Sequence, residues 1–460
     1  MLGKAELGAK LPRRFYFMLT LWGEKFREHF YSLLLPTLLA PNNVPILKNR
    51  PGSKVVIATT RDDWDALEDR PLMRELAAYV EPLPIFISYP DKSAATQLHM
   101  SRAHQIAARR AYDDRAVAGF LAPDLLCSDG LIKTAVELIE CGKTAVACPA
   151  LRFNMEAALK RVIEAGFLKP GHVAALPAQF MGAVATNSLH PEILRYNFEG
   201  AEFDDYPIWS FWRVPGRDGL ILYTVSWALL LADYAAIPRF TDEALNDSTI
   251  DGNYVWTNFG HLRETDKVAL LSDSSEGTFI SLTPENEFDF EPYNVRARKL
   301  NSIFQFMRMG TAKRTCDIRN FRNLPDIDPW RKWLYSVPIK IHGDEIDSAY
   351  EECISRTMAV MESACRVDRK WRYLSTKAII NLVIALQGRE TLVHFARRAL
   401  HFVSFGRIYY PGSSGKNIRG ALLRRLMKLA RFARRVFFGR VIYPESTGNQ
   451  LGDFGQQAPN

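Results

Sequence analysis

The chain has 460 residues and a formal net charge of +8; 47% of the residues are hydrophobic and 24% are charged. This composition excludes a fibrous or largely disordered protein, because it supplies enough apolar side chains for a packed core in two or three lobes. The six cysteines form no CxxC pair, which favours a reducing compartment and argues against a disulfide framework or a structural zinc site. No apolar run reaches the roughly 20 residues of a membrane-spanning helix. The first residues do not resemble a secretory signal, so we expect a cytoplasmic protein.

The first 165 residues alternate between short apolar segments and segments with helical spacing. Strands are predicted at 15–21, 54–58, 83–87, 116–121 and 144–148, and helices at 24–39, 71–79, 94–112, 132–141 and 155–165. Such alternation is typical of parallel strands joined by crossover helices. We therefore predict an α/β fold with a doubly wound, mainly parallel sheet.

The later segments have a different character. Residues 180–282 carry many aromatic side chains and are predicted to form strands and loops, whereas residues 297–390 are predicted to be mainly helical. Residues 445–460 are rich in Gly, Gln, Asn and Pro, and we expect them to be disordered.

A basic block precedes this last stretch. Residues 395–440 contain twelve Lys and Arg residues and no acid, while the rest of the chain is net acidic. Within the block, residues 420–439 place their apolar side chains on one stripe of a helical wheel. The opposite face carries Arg424, Arg425, Lys428, Arg431 and Arg435. An apolar stripe with a wholly basic face is typical of a helix lying on an anionic membrane, so we assign 395–444 to such a segment.

Two other interpretations of the basic block remain open. The helix can pack on the protein's own core with its arginines solvated, or it can contact nucleic acid. Nucleic acid receives the least weight, because the rest of the chain is acidic and shows no RRM, KH or helix-turn-helix signature.

Acidic residues follow several predicted strands. Asp124 follows the strand at 116–121, and Asp129 comes five residues later. Ligands of open α/β sheets bind outside the carboxyl ends of strands, and a divalent cation holding a diphosphate takes one or two carboxylates. Asp124 and Asp129 are therefore candidates for such a site. The alternative is that Asp124 lies in a turn and Asp129 caps the next helix.

Two later segments share this design. Asp251 lies beside Gly252 in a turn, and Asp273 and Glu276 follow a predicted strand at 268–271. These acids can complete a metal site, act as a base for an acceptor hydroxyl or orient a sugar; the alternative is that they are acids of surface turns. Weaker candidates are His190 as a metal ligand and Arg102, His104, Lys143 and Arg152 as partners of a phosphate, each with a solvated side chain as the alternative.

The sequence has no Walker lysine loop, GxGxxG, HExxH or GxSxG motif. It therefore lacks the signatures of P-loop phosphoryl transfer, dinucleotide redox chemistry, zincin proteolysis and α/β-hydrolase chemistry.

Residues 13–285 resemble a group of bacterial glycosyltransferase-like proteins with a GT-A (nucleotide-diphospho-sugar transferase) fold. The segments that carry the resemblance are Leu21–Phe26, Leu35–Pro45, Ala122–Asp124, Ser128–Gly130, Gly142–Arg152, Thr249–Gly252 and Ser272–Ser274. In GT-A enzymes the fourth strand ends in a DxD motif that binds the metal and the sugar diphosphate. This sequence has Ala122-Pro123-Asp124 there, with one of the two acids.

The resemblance implies transfer of a sugar from a nucleotide-sugar donor to a lipid-linked or cell-surface glycan acceptor at the inner face of the cell membrane. It also implies Mn²⁺ or Mg²⁺ as the metal. We expect residues 13–170 to bind the donor, with Thr60, Arg61 and Asp62 near the base, and residues 171–290 to form the acceptor side. Residues 291–394 would be a helical region. The alternative is a non-catalytic, membrane-associated binding or scaffold protein on a degenerate GT-A fold, which the missing acid favours.

Overall fold

The computed structural model describes residues 13–89, 96–200, 209–224, 226–246, 250, 252–287 and 333–366. All of them belong to the first of two compact units, which spans Met1–Ile380. The basic segment predicted at 395–444 and the tail at 445–460 lie outside the described residues.

The strands of the described residues form three sheets. In chain order they are β1 (Phe15–Thr20), β2 (Lys54–Thr59), β3 (Glu81–Phe86), β4 (Val117–Leu121), β5 (Leu125–Cys127), β6 (Ala145–Pro149), β7 (Arg152–Asn154), β8 (Trp209–Arg213), β9 (Gly219–Thr224), β10 (Trp227–Asp233), β11 (Val268–Leu270), β12 (Phe279–Thr283) and β13 (Ile339–His342). The main sheet has seven strands in the order β11-β6-β10-β4-β1-β2-β3, and β10 alone runs against the others. The predicted mainly parallel α/β sheet is confirmed.

Helices connect and cover these strands. They are α1 (Glu24–His29), α2 (Leu35–Leu38), α3 (Arg61–Asp65), α4 (Pro71–Ala77), α5 (Thr96–Asp113), α6 (Leu131–Glu140), α7 (Met155–Glu164), α8 (Ala178–Asn187), α9 (Pro191–Leu194), α10 (Gly252–Phe259) and α11 (Ser348–Arg366). A π-helical turn at Phe30–Leu34 joins α1 to α2. No helix among the described residues is long and apolar enough to cross a membrane.

The central strand β1 shows why the sheet is covered on both faces. All six of its residues are buried. Phe15 and Phe17 belong to one apolar cluster, and Tyr16 and Met18 belong to another. Because successive side chains of a strand point to opposite faces, the two clusters lie on opposite faces of the sheet. The sheet is therefore the middle layer between two hydrophobic cores.

The middle of the chain differs from the prediction of strands and loops. It contains β8, β9 and β10, but also the helices α8 and α10. Helix α8 has buried residues on several sides, including Met181, Val184 and Ala185. A helix without a continuous polar face lacks the one-sided apolar stripe by which helices are recognised in a sequence, so its periodicity was not evident.

Two small sheets flank the main one. One has the order β5-β12-β7, and the other has the order β13-β9-β8. The second of these packs against α11 through Trp212, Tyr223 and Tyr350. The range predicted to be mainly helical, 297–390, therefore contains the strand β13 as well as α11, and its remaining parts lie outside the described residues.

The strand order reverses at β1. From β1 the chain continues through β2 to β3 on one side, and α5 then returns it to β4 on the other side of β1. In open α/β sheets such a reversal leaves a crevice outside the carboxyl ends of the two strands. Here the crevice lies between the loop after β1 and the loop after β4.

Candidate functional site

The loop after β1 forms one side of the crevice. The backbone N–H of Leu21 donates to the carbonyl of Ala58 at 2.9 Å, and the half-buried Trp22 follows. The Trp22 ring meets the His99 ring edge-on, with the ring centroids 5.1 Å apart. Gly23 has φ of 80°, a backbone conformation that glycine adopts without strain. The loop therefore places an aromatic side chain at the carboxyl edge of the sheet.

Three predicted donor-binding residues follow β2, next to this loop. The Thr60 hydroxyl accepts a hydrogen bond from the Asp63 backbone N–H at 3.2 Å and donates to the Asp63 carboxylate at 2.8 Å. The exposed Arg61 has its guanidinium 3.6 Å from the centroid of the Phe86 ring. Asp62 is also exposed. All three lie at the same edge of the sheet as Trp22, because β1 and β2 are parallel.

Buried polar atoms without partners occur at this edge. The Oγ1 atom of Thr59, at the end of β2, and the Nδ1 atom of His104, on α5, are buried without a hydrogen bond. Burial lowers the pKa of His104 to about 4, so its ring is neutral at neutral pH. Its ring packs edge-on against Phe120 of β4. Unpaired buried polar atoms are rare and costly. These two lie on opposite faces of the sheet, because Thr59 shares the face of Val55 and Ile57, whereas α5 packs on the face of Tyr16 and Met18. Arg102, on the same helix, is exposed.

Asp124 lies in the loop after β4, on the other side of the crevice. Burial raises the pKa of its carboxyl group to about 6; the negative charge of Glu287 adds to this shift, and the cations Arg152 and Lys25 oppose it. Lys25 pairs with Glu287 at 3.3 Å. The Asp124 carbonyl accepts a hydrogen bond from the Leu282 N–H at 2.9 Å, which fixes the loop to β12. The site thus combines a desolvated carboxyl group with cations from two other elements.

Arg152 and His190 belong to the same side of the molecule. Arg152 pairs with Glu192 at 2.9 Å. The buried His190 accepts a hydrogen bond from the Glu192 N–H at Nδ1 (3.2 Å), and its Nε2 lies 3.3 Å from the Pro284 carbonyl oxygen. Because a carbonyl only accepts, Nε2 carries the proton and the Nδ1 lone pair is already used. His190 therefore holds the start of α9 in this arrangement.

Two predicted phosphate-binding residues lie elsewhere. The Asp129 carboxylate accepts hydrogen bonds from the backbone N–H and the side-chain amide of Asn42, at 2.8 and 2.9 Å. It does not cap α6; Gly130, with φ of 96°, occupies that position. Lys143 precedes β6, at the edge opposite to Asp124, and its amine pairs with Asp266 at 3.0 Å. The structure therefore does not bring Asp129 or Lys143 to the crevice.

Asp273 forms a clamp after β11. Its carboxylate pairs with the Lys340 amine at 2.7 Å and with the His342 Nε2 at 2.9 Å, and it accepts a hydrogen bond from the Ser275 hydroxyl at 2.6 Å. Burial raises the pKa of Asp273, but the hydrogen bonds from His342, Lys340 and Ser275 outweigh it and hold the pKa well below its usual range. The clamp joins the loop after β11 to β13.

His342 is held in its charged form by this clamp. Nε2 faces the Asp273 carboxylate, and Nδ1 lies 2.6 Å from the carbonyl oxygen of Asp344. Both partners are acceptors, so both ring nitrogens carry protons and the ring is an imidazolium. The hydrogen bond to Asp273 raises the pKa of His342, in agreement with this geometry.

Glu276 lies on the same loop but is exposed. Burial around its carboxyl group and the charge of Asp273 raise its pKa. Strand β11 is three strand spacings from β4, a distance of about 14 Å at about 4.8 Å per spacing. A small cleft, partly open to solvent, lies next to Asp273 and Lys340. Glu276 and Asp124 thus face the same edge of the sheet without touching.

The remaining predicted site residues are outside the described part of the chain. They are Asp251, on the acceptor side, and the basic residues Arg424, Arg425, Lys428, Arg431 and Arg435.

The residues around Asp124 fit a divalent cation in part. Among the described residues, no three His, Cys, Asp or Glu side chains come together as a metal site. Mg²⁺ in phosphate-handling enzymes is nevertheless held by one or two carboxylates together with substrate phosphates. Asp124 can supply one such carboxylate, from a desolvated position. His190 does not, since the lone pair on its Nδ1 is engaged.

Several residues around the crevice and around Asp273 were not predicted from the sequence. Asp63 stands next to the predicted Thr60–Asp62, and only the fold shows that its side chain reaches Gly23. Lys25 and Glu287 are separated by 262 positions, and Asp273 and His342 by 69. No local pattern signals such pairs; the sole hint was that Trp22 and Gly23 follow directly on a predicted strand.

Comparisons with known proteins give little likeness. No protein-family model matches the chain, and no curated protein matches it. Among solved structures, mouse xyloside xylosyltransferase 1 in its apo form is similar with a TM-score of 0.21 and 10% sequence identity, over 34% of this chain and 61% of that chain. The chain thus spans about three fifths of the length of the xylosyltransferase.

Proposed function

We propose that the protein is a glycosyltransferase whose nucleotide-sugar donor binds in the crevice at the carboxyl ends of β1 and β4. The observation that supports this most is Asp124: a carboxyl group short of water, influenced by Lys25 and Arg152, at the reversal of the strand order. Ligands of open α/β sheets bind at this position. The unpartnered Oγ1 atom of Thr59, at the end of β2, also favours a ligand with polar groups.

The chemistry of a sugar diphosphate matches these groups. Lys25 and Arg152 supply positive charge for phosphate oxygens. Trp22, half-buried beside His99, supplies an aromatic face for a ring. In this proposal Asp124 would hold a Mn²⁺ or Mg²⁺ ion together with the diphosphate, and the ion would neutralise charge on the leaving group.

The acceptor side is proposed near the loop after β11. Glu276 is the better base, because its pKa is raised above its usual value, whereas Asp273 is fixed in its ionised form by Lys340 and His342. The interval of about 14 Å between β4 and β11 leaves room for the transferred sugar and the acceptor hydroxyl. A lipid-linked or cell-surface glycan acceptor at the inner face of the cell membrane belongs to this proposal, through the basic segment at 395–444.

A thermal-shift screen tests the donor site. UDP-glucose, GDP-mannose, CMP-N-acetylneuraminate and dTDP-rhamnose are added with and without Mn²⁺. A donor at 100 times its Kd stabilises the folded state by about 2.7 kcal/mol. We expect one of the four to raise the melting temperature of the wild type and to leave Asp124→Ala unchanged. If none of them stabilises the wild type, the proposed function is wrong.

The second candidate is a non-catalytic binding protein on the same fold. Asp124 as the single acid of the DxD position favours it. The two candidates differ in turnover. An enzyme releases the nucleoside diphosphate when donor and acceptor are present, whereas a binding protein returns the donor intact.

A further inference from the structure

Asp63 joins the two loops that border the proposed donor crevice. It lies in α3, after β2, and its side chain reaches the loop after β1. We infer that Asp63 is a positioning residue for the donor: its hydrogen bond to Gly23 holds the Trp22–Gly23 loop in place at the border of the crevice. This inference rests on the proposed function and assigns a role to a residue that touches no reacting atom.

The carboxylate of Asp63 accepts hydrogen bonds from three donors. Its Oδ2 accepts hydrogen bonds from the Gly23 backbone N–H at 2.7 Å and from the Thr60 hydroxyl at 2.8 Å. Its Oδ1 accepts one from the Arg27 guanidinium at 3.0 Å. The residue is 4% exposed. A buried carboxylate is stable here because each oxygen meets a donor and a cation balances the charge.

The loop that Asp63 holds is fixed at both ends. Leu21 makes the last hydrogen bond of β1 with Ala58, and the Gly23 carbonyl accepts the first helical bond of α1, from the Arg27 N–H at 3.0 Å. The loop is therefore anchored at Leu21 and at Gly23, and the bond from the Gly23 N–H to Asp63 ties it to α3.

Trp22 is the side chain whose position depends on this bond. It stands between the two anchored residues and faces the His99 ring. A donor that packs against Trp22 binds best when the loop is already in place, because ordering a loop on binding costs free energy.

Asp63→Asn removes the charge and puts an amide N–H where Asp63 now accepts. Depending on the orientation of the amide, either Arg27 or the pair Gly23 and Thr60 then faces an NH2 group instead of an acceptor. In both orientations the remaining acceptor is neutral and therefore weaker than the carboxylate, so the loop is held less tightly while the volume of the side chain is kept. Asp129→Asn is the matched control, because Asp129 holds the Asn42 loop by the same kind of bidentate contact away from the crevice. Arg27→Gln is a milder second variant that keeps both loop bonds of Asp63.

The experiment uses the full chain and two measurements. Hydrogen exchange of the peptide covering residues 21–27 reports the loop without any ligand. Calorimetric titration with UDP-glucose, GDP-mannose, CMP-N-acetylneuraminate and dTDP-rhamnose reports the Kd of whichever donor binds the wild type. We expect Asp63→Asn to speed exchange at Gly23 and to raise the Kd about tenfold, since a lost hydrogen bond to a charged group is worth at least about one factor of ten. Arg27→Gln should act in the same direction but less, and Asp129→Asn should lower the melting temperature without changing the Kd.

Three outcomes overturn the inference, and they are distinguishable. If Asp63→Asn exchanges faster but binds the donor as the wild type does, the loop does not position the donor. If Asp129→Asn raises the Kd equally, the effect is one of general stability. In both cases the proposed function stands. If the wild type binds none of the four donors, the proposed function fails and the positioning role fails with it.

Discussion

Asp124 is the residue at which function and stability oppose each other. Its carboxyl group is partly buried, and burial raises its pKa to about 6 from 3.8. The folded state therefore binds the Asp124 proton more tightly than the unfolded state does. Stability from this group is highest below pH 3.8, falls as the pH rises towards 6, and stays low above it.

We expect Asp124→Asn to be more stable than the wild type above pH 6, by up to about 3 kcal/mol, because it removes the cost of a buried charge. It should also lose donor binding. Urea unfolding at pH 5.0 and 7.5 measures the first effect, and the thermal-shift screen measures the second. Asp129→Asn should instead lose stability, because Asp129 accepts two hydrogen bonds. A less stable Asp124→Asn at pH 7.5 would contradict the argument.

Glu276 and Asp273 are expected to have different roles, one in catalysis and the other in stability. If Glu276 is the base, Glu276→Gln should lower kcat by about 100-fold or more and change donor affinity little. Asp273→Asn should act mainly on stability, because Asp273 binds Lys340 and His342. Steady-state kinetics beside unfolding curves checks both. Equal loss of kcat and donor affinity in Glu276→Gln would count against its role as a base.

His342 makes the clamp sensitive to pH. Its pKa is raised by the hydrogen bond to Asp273, so the stability it contributes is fully present below its unfolded pKa of about 6.5 and is lost as the pH rises through the higher folded pKa. The charged groups that face the clamp are Asp273, Lys340, Asp344 and Glu276. We expect the free energy of unfolding to fall more steeply in the wild type than in His342→Gln as the pH rises above 6.5. Parallel pH profiles of the two proteins would contradict the imidazolium assignment.

At the scale of elements, β3 shows how an edge strand is protected. Among the described residues it pairs with β2 alone. The N–H groups of Glu81 and Ile87 donate to Ser53 and Thr59 of that neighbour, so odd-numbered residues bond inward and even-numbered ones face outward. The outward positions include Pro82 and Pro84, which have no N–H to offer. The edge therefore lacks the donors by which another strand would add to it.

We expect Pro82→Thr combined with Pro84→Thr to change stability by no more than about 1 kcal/mol per site while increasing self-association. Analytical ultracentrifugation over a range of concentrations measures the association. Glu81→Gln is the control, because Glu81 bonds inward and its substitution restores no outward donor. A double variant that remains monomeric would show that the prolines do not guard this edge.

Elements were predictable where the chain has one dominant period. Strand β1 and helix α6 follow the predicted ranges within a residue or so, since each has a run of apolar residues with strand or helix spacing. Short strands such as β5 were missed, because three residues carry no period and the strand exists only through its partner β12. Carboxylates at strand ends were visible in the sequence, but what each of them binds depended on long-range packing. Asp129 and Asp273, similar in sequence context, hold an asparagine loop and a Lys–His pair.

At the scale of the molecule, the described residues supply a proposed chemistry and the basic segment supplies a proposed location. The described α/β unit carries both the crevice at Asp124 and the loop at Glu276 on one edge of the main sheet. The basic block at 395–440 contributes all of the positive excess of the chain. In the proposed function, a glycan or lipid-linked acceptor at a membrane would connect the two, since the acceptor would then lie where the basic segment is proposed to bind.

The basic segment can be tested apart from the chemistry. The prediction concerns the five basic residues of one helical face: Arg424, Arg425, Lys428, Arg431 and Arg435. Each is worth about 1 kcal/mol near an anionic leaflet, so replacing all five with Gln should lower binding to vesicles of 30% phosphatidylserine by about 1000-fold or more. Binding of the wild type should weaken as salt increases from 0.05 to 0.5 M, because the Debye length shortens. Co-sedimentation with vesicles measures both effects.

Replacing Arg397, Arg398 and Arg407 with Gln, outside that helical face, is the control and should cost less binding free energy per residue. Tight binding to duplex DNA without preference for anionic vesicles would instead indicate that the segment contacts nucleic acid. If the fivefold variant still binds vesicles, the basic face is not the membrane contact, and packing of the helix on the protein's own core is favoured.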